Sequence, residues 1–314
     1  MRLIIAITGG RGFIGRRLAA RLTAAGHHVR LLGRQPPTGG SKQGVEWHQA
    51  NLAGPDARAL LRFADGADVL FHCAGEIRDP DRMESTNHIG TERLAEQAAG
   101  RVGRWVQLST IGVYGSPRSG AVDENAPPAP FDAYESSKLR GDEALLSVAA
   151  RTGMPWTMLR PAIVFGRDMP NNSLRGLIGA IRSGRFFYIG RREAILPYVH
   201  VDDVVEALML LGRHENAIGQ TFNLSDDVAL ERFVAEVCSV SGCRTPTLRL
   251  PEVPVRVAAA VLQRIPAFPL TLSRINALTG TARYPIDKIE RLVGYSHVKG
   301  WRAGLHEMLV ADRA

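Results

Sequence analysis

Lysine is almost missing from this chain. Of its 39 basic residues only four are lysines, at positions 42, 138, 288 and 299. The arginines are spread along all 314 residues, with no basic cluster longer than GRREA (190–194) and no basic tract interleaved with aromatics. Despite a formal net charge of +8, that distribution excludes a nucleic-acid surface. An anionic small ligand needs only a few of these arginines. Cysteine is equally sparse: Cys73, Cys238 and Cys243 fit neither a zinc pattern nor a C-x-x-C pair. No metal site is expected, and the three read as reduced, buried thiols of a cytoplasmic protein. Long apolar runs are missing too. The chain starts straight into MRLIIAITGG, without the charged and apolar regions of a secretory leader. The most apolar late segment, residues 255–272, is broken by Gln263, Arg264 and two prolines, so it reads as amphipathic helix and turn, not as a membrane span.

What is present alternates in period. RLIIAIT (2–8), HVRLLG (28–33), VEWHQ (45–49), DVLFHCA (68–74), RWVQLST (104–110) and WTMLRP (156–161) have strand length and composition. Helical spacing separates most of them, in GFIGRRLAARLTAAG (12–26), in residues 81–99 and in the segment after residue 131. Strands alternating with helices predict an α/β fold with a doubly wound parallel sheet. After about residue 165 prolines become frequent and the rhythm irregular. The expected division is a dinucleotide-binding domain over 1–165 and a smaller, interleaved lobe over 166–314, with 197–225 packing back on the first.

TGGRGFIG (8–15) follows the first strand and opens the first helix. Gly9, Gly12 and Gly15 supply a tight turn and bare backbone N–H groups at a helix N-terminus, which is what a pyrophosphate needs. Arg11, Phe13 and Ile14 share this loop. A carboxylate at the end of the second strand would accept from the adenosine ribose 2′-OH and favour NAD. Here that position holds Gly33, followed by Arg34, which suits a 2′-phosphate. NADP is therefore expected, with NAD possible.

FDAYESSKLRGDEALLSVAA (131–150) places Tyr134 four residues before Lys138, on one helix face. With so few lysines, such a pair arises by chance in roughly one chain in ten. LSTIGVYG (108–115) ends the fifth strand, so Ser109 and Thr110 should project into the ligand crevice. With FHCAG, NHIGT and LRPAIVFG in the same order, the sequence resembles the extended short-chain dehydrogenase/reductase family, whose best-known branch holds the NAD(P)-dependent nucleotide-sugar epimerases and dehydratases. The resemblance covers nearly the whole chain and implies a Rossmann domain, a small-molecule substrate and a homodimer.

The resemblance makes Tyr134 the catalytic acid/base, Lys138 its partner, Thr110 the hydroxyl that holds the substrate oxygen, and Asn87 the helix residue that supports the lysine through water. Hydride transfer at a carbinol carbon requires proton transfer at its oxygen, and a phenol needs help to act as base near neutrality. Asn51 and Leu52, the backbone of Cys73, Ala74 and Gly75, and the side chains of Ser109, Tyr134 and Lys138 should contact the cofactor. Pro161, Ile163 and Val164 should lie beside its nicotinamide. Thr110, Ile111, Asn171, Asn172 and Arg191 are the expected substrate contacts. His72 is expected to pack, and Asp202 to cap a helix. One departure concerns substrate. Leu196 replaces an arginine that in many nucleotide-sugar enzymes grips the diphosphate, although Arg191 and Arg192 are near. The first reading is an oxidoreductase, a 4-keto reductase or epimerase, acting on a nucleotide-linked sugar. The alternative is a reductase of an uncharged hydroxysteroid- or dihydroflavonol-like substrate, supported by GRFFYIG (184–190) and the lost arginine. A non-catalytic dinucleotide-binding protein is a third.

Overall fold

The apolar strand-length runs become the centre of the molecule. In the computed structural model, which describes residues 1–36, 43–116, 119–170, 172–262 and 270–311, the chain runs as follows. It contains β1 (Ile4–Thr8), α1 (Gly15–Ala24), β2 (His28–Gly33), β3 (Val45–Gln49), α2 (Ala57–Ala64) and β4 (Val69–His72). It continues through α3 (Pro80–Met83), α4 (Gly90–Ala98), β5 (Arg104–Leu108), α5 (Ala133–Thr152) and β6 (Trp156–Pro161). The remainder is β7 (Ile163–Phe165), α6 (Ser173–Arg182), β8 (Tyr188–Ile189), β9 (Ile195–His200), α7 (Val201–Arg213), β10 (Gln220–Leu224), β11 (Asp226–Ala229) and α8 (Leu230–Ser241). The chain closes with β12 (Arg249–Leu250), α9 (Glu252–Leu262), α10 (Leu272–Thr279), α11 (Asp287–Val293) and α12 (Gly300–Ala311).

Seven strands form one sheet in the order β3-β2-β1-β4-β5-β6-β10, and every neighbouring pair is parallel. This is the doubly wound, Rossmann-type sheet, covered on both faces. Residues of β4 and β5 are therefore buried throughout. One face packs α1 and α7 around Ile5, Leu18, Val29, Val106 and Leu208. The other packs α2, α4 and α5 around Leu60, Phe63, Leu94, Trp105 and Leu145.

A smaller lobe holds the three-stranded sheet β11-β9-β7, the pair β12-β8, and α6, α8 and α12 around Phe165, Ile178, Phe233 and Leu305. The chain crosses between the lobes: β10 joins the edge of the large sheet beside β6, and α7 lies on that sheet. Buried Asp203 of α7 accepts from the backbone N–H groups of Val298, Lys299 and Gly300 at 2.7, 2.8 and 2.9 Å, fastening the start of α12. Asp202 does not cap α7. His200 does, its Nδ1 accepting from the Asp202 N–H at 3.2 Å. The apolar segment 255–272 includes part of α9, and its residues 263–269 lie outside the described residues. No helix among the described residues is long and apolar enough to cross a membrane.

Residues 80–98 are helical without a break, as the sequence predicts for 81–99, but not as a regular α-helix throughout. Between α3 and α4, residues Glu84–Ile89 make a turn of π-helix, an insertion that such helices carry at functional sites.

Candidate active site

Strand order reverses between β1 and β4, so the crevice at their carboxyl ends is the place for a ligand. The turns after these two strands meet there. Gly9 has φ +68°, and a Cβ on it would lie 2.6 Å from the carbonyl oxygen of Cys73. The Gly12 N–H donates back to the Gly9 carbonyl at 2.8 Å, closing the turn in front of α1. The result is a bare backbone cradle at a helix N-terminus, which fits a pyrophosphate. A cleft of about 720 Å³ opens from it, lined by Arg11, Arg34, Asn51, Cys73, Gly75 and Arg82 among others. Asn51 makes an Asx turn with the Ala53 N–H at 3.2 Å, and Leu52 and Ala74 share the wall.

His72 is buried, and it does more than pack. Thr8 Oγ1 accepts from the Ala74 N–H at 3.1 Å and lies 2.9 Å from His72 Nδ1. On the other side, His72 Nε2 lies 3.0 Å from Thr91 Oγ1, which donates to the Asn87 carbonyl at 2.6 Å. The bonds are consistent with one tautomer, Nε2–H. The ring thus ties β1, β4 and α4 together beneath the cleft. Burial, and then the nearby Lys138 charge, hold its pKa down to about 3.

The catalytic candidates come from β5 and α5. Asp132 caps α5 by accepting from the Glu135 N–H at 2.8 Å, while Glu135 reaches back to the Phe131 N–H at 2.7 Å. Tyr134 therefore stands in the first turn, with Lys138 one turn deeper. Lys138 is buried and its Nζ donates to the Leu108 carbonyl at 2.8 Å. The series continues to Asp142, a further four residues along the same face. Asp142 is buried, accepts from Ser109 Oγ at 2.5 Å, and lies 3.6 Å from the Arg160 guanidinium. Burial pushes the Lys138 pKa down, and the Asp142 carboxylate opposes that. The Tyr134 phenol is pushed up to about 12, by burial first and then by Asp142, Asp132 and Glu135.

Thr110 caps a short 3-10 turn (Ile111–Tyr114), its Oγ1 accepting from the Gly112 N–H at 3.0 Å. That bond uses an acceptor site of the hydroxyl and leaves its proton free to be donated. Ser109 differs from expectation. Neighbouring residues at a strand end point to opposite sides, and its buried hydroxyl turns inward to Asp142 instead of towards the crevice. Ile111 is also not a substrate surface, because it is buried in the core below. The Asn87 side chain is held by protein groups on both sides. Its Oδ1 accepts from the Glu76 N–H at 2.7 Å, and its Nδ2 donates to the Glu76 carbonyl and to Ser137 at 2.9 and 3.0 Å. The π-turn that carries it places this amide between the loop after β4 and helix α5.

The remaining candidates scatter. The Phe13 ring packs towards the small lobe beneath the Arg17 guanidinium, while Ile14 joins the large core and Gly15 packs against the Gly9 carbonyl. Pro161 is buried at the end of β6, Val164 packs on the core, and Ile163 is exposed. Asn172 precedes α6, exposed and without a side-chain cap bond. Asn171 lies outside the described residues. Arg191 lines a second cleft of about 670 Å³ with Arg249 and Glu193. Leu196 is fully enclosed by the small-lobe core. Asp142 was legible in the sequence as the next step of the four-residue spacing. Trp47, which lines the first cleft from β3, had no such signal.

A sequence model of the NAD dependent epimerase/dehydratase family matches residues 5–225. A 4-hydroxy-2-methyl-3-oxo-4-farnesyl-3,4-dihydroquinoline-1-oxide ketoreductase of Stigmatella aurantiaca is 31% identical over 263 residues, covering 81% of this chain and 78% of its own. A UDP-glucose 4-epimerase of Mycolicibacterium smegmatis is 31% identical over 245 residues, covering 71% of this chain and 77% of its own. Among solved structures, the UDP-glucose 4-epimerase of Thermotoga maritima with UDP-glucose superposes with a TM-score of 0.75 over 99% of each chain. At 20% identity that likeness speaks for the fold alone.

Proposed function

The chain belongs to the NAD-dependent epimerase/dehydratase family, and from that premise we propose that it is an NADP-dependent reductase of a keto carbon on an uncharged, largely apolar substrate. The two relatives at equal identity act on different chemistries, so the side chains around the crevice carry the choice. The decisive observation is Leu196, 3% exposed inside the small-lobe core, where a diphosphate-gripping arginine would be needed. Ile77 after β4, Phe131 before α5 and Ile163 in β7 are large apolar side chains left 50%, 84% and 43% exposed, a surface that suits an apolar substrate better than a charged one.

The nicotinamide cofactor, when bound, supplies the hydride. Gly9, Gly12 and the N-terminus of α1 would hold its pyrophosphate, and Arg34 and Arg11 a 2′-phosphate. Thr110 donates to the substrate carbonyl oxygen and fixes its position. Tyr134 gives its proton to that oxygen as the carbonyl carbon is reduced, and the phenol pushed up to about 12 is loaded for that donation at neutral pH. Lys138, anchored on the Leu108 carbonyl and balanced by Asp142, stabilises the phenolate that remains.

A second reading, a nucleotide-linked sugar reduced or epimerised at C4, is favoured by Arg191 and Arg249 at the second cleft. The test is to assay bound dinucleotide in the purified protein, then follow loss of NADPH absorbance with a hydrophobic cyclic ketone and with a 4-keto sugar nucleotide. The proposal expects little retained cofactor and consumption with the ketone. Consumption with the sugar nucleotide alone establishes the second reading. Near-stoichiometric retained cofactor with sugar interconversion and no net loss of NADPH establishes an epimerase.

A further inference from the structure

At the adenosine end of the cleft, β2 ends on Gly33, and β3 runs parallel beside it with Leu31 opposite Trp47 and Gly33 opposite Gln49. Side chains at 31 and 33 share one face of the sheet, and the Trp47 indole leans along that face towards Gly33. A Cβ built on Gly33 would lie 2.5 Å from Cζ2 of the indole and closer still to Cη2. No side chain fits at 33 while the ring stays where it is. Trp47 and Gly33 both line the cleft, together with Arg11 and Arg34. The indole Nε1 is buried and has no hydrogen-bond partner among the described residues.

A carboxylate at the end of β2 is the group that accepts from the adenosine 2′-OH and selects NAD. In this chain the volume of that carboxylate is filled by an indole. We propose that Trp47 is a cofactor-selecting residue: by occupying the space above Gly33 it excludes the NAD-selecting acid and leaves the adenosine 2′ position to Arg34 and Arg11. The proposal rests on the NADP reading above, and it adds a steric lock to the attraction by arginine. A single change at position 33 therefore cannot reverse the preference. The indole must be cut back as well.

The experiment measures dissociation constants of NADPH and NADH, by cofactor fluorescence on the full chain, for the parent, Gly33→Asp, Trp47→Val and the double variant. Gly33→Asp alone should move the NADH-to-NADPH affinity ratio by less than about threefold, and the double variant by about tenfold or more beyond it, the scale of a charge-assisted hydrogen bond. An equal gain by Gly33→Asp alone overturns the steric lock. Equal parent constants for the two cofactors would refute the NADP reading, while the comparison of single with double variant still judges the lock. If the aspartate variants fail to fold, Gly33→Ala reads the same contact through thermal melting. It should lower the melting temperature in the parent background and do so less in Trp47→Val. The same loss in both backgrounds overturns the proposal.

Discussion

Asp142→Asn should be among the most damaging conservative substitutions in the protein. Asp142 is 1% exposed and stands between two buried cations, Lys138 and Arg160, with Ser109 donating to it at 2.5 Å and Gln107 at 3.4 Å. Asparagine keeps the shape and one acceptor for Ser109, but removes the charge and presents an N–H pair to a guanidinium that cannot accept. Breaking one partner of a buried ion pair costs about 3–5 kcal/mol, and the retained acceptor places the expected loss near the lower end, about 3 kcal/mol. Urea unfolding followed by circular dichroism measures it. Combining the change with Arg160→Met, which removes one stranded cation, should cost less than the sum of the two single changes, because the sites share one network. A loss below about 1 kcal/mol, as for a surface pair, would show that the network is not the tight, water-poor cluster described above. Full additivity in the double variant would show the same.

Tyr134→Phe should lower kcat by about 100-fold or more, the scale of general acid catalysis, while the NADPH dissociation constant from fluorescence titration stays within about threefold. Retained turnover would remove Tyr134 from the mechanism. Arg34→Ala should narrow the gap between NADPH and NADH affinities by about tenfold, and no change would show that Arg34 does not meet a 2′-phosphate. His72 predicts acid sensitivity. Its folded pKa, pushed down to about 3, lies below the value near 6.5 of an unfolded chain, so its contribution is complete above about pH 6.5 and is lost as pH falls towards 3, at up to about 1.4 kcal/mol per pH unit. Thermal melts at about pH 5 and pH 7.5 should diverge more in the parent than in His72→Gln, and parallel curves would refute the assignment.

The alternation of strand and helix, the glycine turn and the Tyr134–Lys138 spacing were legible in the sequence, because each depends on residues near in the chain and on a fixed period. The sheet strands and the crevice at β1 and β4 follow from that pattern. Side-chain direction did not. Ser109 and Thr110 are neighbours of similar chemistry, yet one binds Asp142 inside the core and the other caps the turn that follows β5, which only the twist and register at the end of β5 decide. Asn87 matched a motif, while its direct partners, Glu76 and Ser137, are brought to its amide only by the π-turn and the packing of α5. Gly33 read as a missing acid. The tertiary structure supplies the cause: an indole from a parallel strand fourteen residues further along the chain fills the space where a side chain would stand.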